Sequence, residues 1–194
     1  MESVKVSLAF VPCESVNAKI RNLKENLKSV IGWYSSCNSA GHVTICEFET
    51  TRDELKGVAS LLIEKLQYEH AQHVYFNDYS IFQHGNTYTY YIVPTVQSKY
   101  YFNQRSAAVI DALKDRFSLK SISKEPHLSI GRKLEEGALK DAKSSLKQID
   151  LDFYCDSVYI RVFNPDVKQY DIFFKIPFGG KERLLGAGQL SFNF

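Results

Sequence analysis

His42-Val43-Thr44-Ile45 and His127-Leu128-Ser129-Ile130 repeat one pattern about 85 residues apart: histidine, aliphatic, hydroxyl, aliphatic. Side chains of an extended strand alternate faces with period two. In each stretch the imidazole and the hydroxyl therefore share one face, and the aliphatic pair points the other way into a core. Two such strands laid together would place two acid/base groups and two hydroxyl donors around one small anion. That arrangement suits phosphate-ester chemistry.

Working outward, the flanks of the two stretches follow the same plan. Val4 to Val11 is a β-rich run ended by Pro12, and Val16, Ile20, Leu23, Leu27 and Val30 recur at helical spacing over Glu14 to Val30. The polar loop Ser35 to Gly41 delivers the chain into the first histidine strand, His42 to Phe48. Thr51 followed by Glu54 is a capping-box signature for a helix running to about Tyr68. Val74 to Phe82 and Thr87 to Val93 form a hairpin about His84-Gly85-Asn86. A helix over about Tyr100 to Phe117, the strand His127 to Gly131, a helix from Glu135 to Leu146, and strands near Tyr154 to Phe163 and Tyr170 to Phe178 complete the chain. The order strand, helix, histidine strand, helix, strand thus occurs twice, with one strand added. The expected fold class is α+β: a single two-lobed domain over 1–178, with pseudo-repeats of about 1–84 and 85–178 and a tail over 179–194. Its sheets would hold the histidine strands centrally, about a shared cleft.

A length of 194 residues suits one such domain. A net charge of +2 makes no strong field for gripping duplex nucleic acid, so a small phosphorylated molecule or a nucleic-acid end fits better. The cysteines Cys13, Cys37, Cys46 and Cys155 show no CxxC pair and no metal spacing, and read as buried filler in a reducing compartment. The apolar run Val6 to Pro12 is too short for a signal sequence, and no stretch reaches membrane-span length. A cytoplasmic protein without a membrane partner is the expectation.

The paired motifs resemble the HxT/HxS motifs of the 2H phosphoesterase superfamily, which includes the 2′-5′ RNA ligase and cyclic phosphodiesterase proteins. Their separation and the duplicated order are similar as well. The resemblance implies a reaction without cofactor or metal on a 2′,3′-cyclic phosphate end of RNA or a related nucleotide, leaving a 2′-phosphate. It implies His42 as general acid, His127 as general base, and Thr44 and Ser129 as phosphate-binding hydroxyls. Arg132 is similar to the basic residue that often follows the second motif, and is a candidate substrate contact. Other members of this class would cleave 2′-5′ linkages, cyclic oligonucleotides or ADP-ribose cyclic phosphate. A non-catalytic module binding a nucleotide or RNA end is the reading from another class.

The imidazoles suit the acid/base roles on physical grounds, with an ordinary pKa of about 6.5. A metal site would need further ligands, and Glu47, five residues beyond His42, faces away in an unbroken strand. His70 and His73 read as a solvated helix end, His84 as a turn residue, and Trp33 as packing. Among Tyr79, Phe82, Tyr88 and Tyr90, one aromatic near the cleft would stack a nucleobase. The tail Gln189-Leu190-Ser191-Phe192-Asn193-Phe194 loosely resembles peptides that dock on bacterial sliding clamps, with a docking strand as the plainer reading.

Overall fold

Val4, Val6, Leu8 and Phe10 bury one face of the first strand, and this alternation starts a fold of twelve elements. A computed structural model describes residues 3–182. In order they are β1 (Ser3–Phe10), α1 (Glu14–Ile31), β2 (Val43–Thr51), α2 (Leu55–Leu66), β3 (Gln72–His84), β4 (Thr87–Pro94), α3 (Val96–Leu113), β5 (Leu128–Leu134), α4 (Glu136–Ser145), β6 (Leu151–Cys155), β7 (Ser157–Asn164) and β8 (Gln169–Pro177). The sequence-predicted α+β class holds. The clamp-like hexapeptide 189–194 lies outside the described residues.

Local chemistry sets the ends of the helices. The first helix stops at Gly32, whose φ of 77° is open to glycine and whose N–H donates to the Lys28 carbonyl at 2.9 Å. The third starts at Val96, earlier than the periodicity indicates, because the Thr95 hydroxyl accepts from the Ser98 N–H at 3.4 Å. At the second, the Glu54 carboxylate accepts from the Thr51 N–H at 3.1 Å, so the capping residues close a turn and the helix proper begins at Leu55.

The strands form two antiparallel sheets, β2-β1-β7-β8 and β5-β4-β3-β6. The repeats exchange strands: β3 of the first half joins the sheet of the second, and β7 and β8 return to the first. Residues 154–163, expected as one strand, are two. The chain breaks at Asp156, with β6 on one sheet and β7 on the other. An unbroken β-rich run hides such a switch, since both halves alternate in the same way.

The histidine strands are not central, as expected, but stand at one edge of each sheet. Each pairs along one side only within its sheet, which leaves its other side to meet the opposite lobe. The two lobes share a core. Phe102 of α3 is fully buried and packs against Phe10 of the first sheet at 4.9 Å and Phe76 of the second at 5.8 Å. Burying an aromatic of this kind stabilises by roughly 1.5–3 kcal/mol, here shared between both sheets.

Candidate active site

Each motif histidine precedes its strand by one residue and is held in the same way. His42 Nδ1 lies 2.8 Å from the Ala40 carbonyl and His127 Nδ1 lies 2.7 Å from the Glu125 carbonyl, two residues back in both cases. A carbonyl only accepts, so Nδ1 carries the proton in both rings. The neutral rings are thereby left with a lone pair on Nε2.

Both strands are then bent by a bulge at the equivalent residue. Leu8 pairs with Cys46 and Ala9 with Thr44, which leaves Ile45 extra. Tyr90 pairs with Gly131 and Tyr91 with Ser129, which leaves Ile130 extra. Both isoleucines are fully buried. A bulge sets two consecutive side chains on one face and advances the alternation by one. Ile45 and Cys46, like Ile130 and Gly131, are buried, while Thr44 and Glu47, like Ser129 and Arg132, are at least partly exposed. The fifth residue after each histidine therefore returns to the histidine face. The expectation that Glu47 points away fails for this reason: the strand is not unbroken.

Backbone and hydroxyl bonds tie one half-site to the other. Lys120 and Glu47 exchange N–H···O bonds of 2.8 and 2.6 Å, and the Ser123 N–H donates to the Ile45 carbonyl at 3.0 Å. The segment leading into His127 is thus stitched to the free side of β2. From the other direction, the Ser36 hydroxyl donates to the Ile130 carbonyl at 3.3 Å and accepts from the Arg132 N–H at 3.0 Å, and the Ser35 hydroxyl donates to the Arg132 carbonyl at 3.2 Å. The loop leading into His42 is so fixed to the strand carrying Ser129. Arg132, itself exposed, depresses the pKa of both imidazoles.

The linings differ. Phe82 meets the His127 ring edge-on at 5.1 Å, and Tyr91 stands 4.9 Å from it and stacks on Phe82 at 4.2 Å. Burial lowers the His127 pKa, opposed by the Glu125 carbonyl and carboxylate. Around His42 stand cations. Burial first, then Arg161, Lys24 and Arg132, push its pKa down to about 3 against the pull of the Ala40 carbonyl. Both rings are neutral at neutral pH.

Two of these cations escaped the sequence reading. Lys24 is 1% exposed. Its ammonium donates to the Ser36 carbonyl at 3.3 Å, the Ser39 carbonyl at 2.7 Å and the Ser39 hydroxyl at 2.8 Å, shaping the loop that carries His42. Burial brings its pKa down to about 8. The signal was its place four residues after Ile20, on the apolar stripe of the helix. Arg161 is 5% exposed in β7. Its signal was a lone charge inside the apolar run Val158 to Phe163.

The remaining candidates fall elsewhere. The His70 carbonyl accepts from the Tyr101 hydroxyl at 3.0 Å, His73 pairs with Asp152 at 3.4 Å, and His84 is exposed at the hairpin end. Tyr79 and Tyr90 stack on each other at 5.1 Å and pack against the core. Of the expected aromatics Phe82 stands against a motif histidine, and it is joined there by Tyr91 of the same hairpin, which the sequence reading did not single out. Trp33, expected to pack, is 73% exposed. All four cysteines are free, and Cys13 is exposed rather than buried, because it precedes the first turn of α1. Among the described residues no group of three or more His, Cys, Asp or Glu could hold a metal ion, and no described helix is long and apolar enough to cross a membrane.

A duplicated two-sheet fold with a His-x-Thr/Ser pair at the joined edges defines the 2H phosphoesterase class. The family model of the 2′-5′ RNA ligase superfamily matches residues 14–166, and the chain belongs to that superfamily. The fold is that of E. coli LigT in complex with 3′-AMP, with a TM-score of 0.67 at 11% identity, covering 91% of this chain and 99% of that one. It is similar also to TT0787 of Thermus thermophilus, with a TM-score of 0.64 at 14% identity, covering 92% and 100%. A structure described as a phosphoesterase matches with a TM-score of 0.59 at 12% identity, covering 91% and 99%. No curated protein matches the chain significantly.

Proposed function

We propose that the protein is a phosphoesterase of the cytoplasm that hydrolyses 2′,3′-cyclic phosphate ends of RNA or related nucleotides to 2′-phosphates by two-histidine acid/base catalysis. The reading rests on one observation above all: each imidazole has Nδ1 anchored to a carbonyl, which leaves Nε2 to exchange protons beside a hydroxyl. Water attacks phosphorus, and His127 Nε2 accepts its proton. The bond from phosphorus to the 3′ oxygen breaks, and protonated His42 delivers its proton to that oxygen. Proton exchange with solvent then resets both rings. Thr44 and Ser129 donate to the non-bridging oxygens and steady the added charge.

Electrostatics give this scheme a condition. His42 sits among cations that repel a proton, so it becomes an acid only when the phosphate anion offsets them. With the anion bound, the imidazolium forms closer to neutral pH and can donate toward the alkoxide leaving group. The E. coli LigT structures with 3′-AMP and with phosphate support ligands of this kind. The test is turnover of 2′,3′-cyclic mononucleotides and of RNA with a cyclic end in EDTA, with the product identified by phosphorus NMR. A 2′-phosphate is expected. A 3′-phosphate would reverse the leaving group, and no turnover on any cyclic phosphate would leave a binding module.

A further inference from the structure

We propose that Arg161, which lies outside both motifs, is a cationic determinant of phosphate binding at this site, acting from the floor of the sheet beneath His42. The inference rests on the phosphoesterase reading for its ligand and adds a residue to it.

The argument begins with an arginine that is almost fully buried yet poorly compensated. Its Nη2 donates to the Ser7 hydroxyl at 2.9 Å, and Ser7 is itself buried. Its Nε–H is buried and finds no acceptor among the described residues. No carboxylate there lies within ion-pair distance of it. The Glu47 carboxylate, which acts on it from beyond ion-pair distance, is engaged by the Tyr170 hydroxyl at 3.2 Å. The Tyr170 ring lies over the guanidinium at 5.3 Å. Burial brings the Arg161 pKa down to about 10, so the group remains charged at neutral pH.

A buried charge without a counter-ion costs free energy, and folds keep one chiefly where something else needs it. Position shows what needs it. Arg161 pairs across to Ser7, and Ser7 to Glu47, so its side chain crosses β1 toward the strand bearing Thr44. Of the charges acting on His42 it is the strongest, ahead of Lys24 and Arg132. The equivalent floor on the other side carries Phe82, which is neutral. Among the described residues a buried positive charge therefore lies under the His42 half-site and not under the other, and an anion would supply the missing compensation.

Binding of inorganic phosphate, measured by calorimetry on the full chain, tests this, alongside the thermal midpoint and the NMR titration of His42. Arg161→Met is expected to weaken phosphate binding tenfold or more and move the His42 pKa up toward its ordinary value, with the thermal midpoint unchanged or raised. Unchanged phosphate affinity would overturn the proposal. So would a loss that tracks a fallen midpoint with His42 unmoved, which is the mark of a structural arginine. If the methionine variant does not fold, Arg161→Lys decides: affinity kept with the charge supports the assignment, and affinity lost overturns it. Weakened phosphate binding in a protein that turns over no cyclic phosphate would sink the reaction and leave Arg161 standing. A wild-type protein that binds no phosphate sinks both.

Discussion

The His42 and His127 half-sites share a backbone plan and differ in what surrounds the ring. In each, a carbonyl two residues back fixes Nδ1, a hydroxyl follows two residues on, and a buried isoleucine bulges the strand. Around His42, however, stand Arg161 and Lys24, whereas around His127 stand Phe82 and Tyr91. Duplication copies what the backbone needs. The lining is free to diverge: one half surrounds its ring with cations and the other with flat apolar surface, which under the proposed function suit the phosphate and the nucleoside respectively.

The sharpest break of the symmetry is the histidines themselves. His42→Ala and His127→Ala should each lower turnover of a 2′,3′-cyclic nucleotide by about a hundred- to ten-thousand-fold, with the two pH profiles losing opposite limbs. Loss of the same limb in both would deny them separate roles. Next come the hydroxyls, where the halves should behave alike. Thr44→Val and Ser129→Ala are each expected to cost about a hundredfold in kcat, the scale of one oxyanion donor, and a kcat left intact in either would remove it from the phosphate.

A smaller effect separates the halves by acid stability. The His42 pKa is about 3 in the folded protein against about 6.5 in the unfolded chain. Between those values the unfolded state binds more protons, so stability falls as pH drops from 6.5 toward 3. His42→Asn should flatten that fall, seen in urea midpoints taken across the window. His127→Asn should flatten it less, because Glu125 and its carbonyl favour the charged ring there. The smallest change is Phe82→Ala, expected to weaken nucleotide affinity a few-fold while leaving inorganic phosphate affinity alone. Equal losses for both ligands would make Phe82 a support for His127 rather than a nucleoside contact.

Much of this was legible beforehand, and for local reasons. Helical spacing from Val16 to Leu27 marks the buried stripe of α1, and the repeated tetrapeptides mark both half-sites. What escaped was non-local. Asp156 splits one apparent strand between two sheets, and nothing within that run tells which partner each half will choose. The bulges that bring Glu47 and Arg132 back to the histidine face arise in the pairing against β1 and β4, and no breaker common to both stretches marks them, since Gly131 of the second is matched by Cys46 in the first.

By itself the sequence determined the chemistry on offer, since histidine, threonine and serine carry their proton-transfer and donor properties wherever they stand, and period-two alternation assigns them a common face. Only the tertiary structure decided the setting of that chemistry: which edges meet, which ring stands among cations, and that Arg161 lies buried beneath one half. Those depend on distances between residues far apart in the chain, and an electrostatic field is a sum over space, not over sequence.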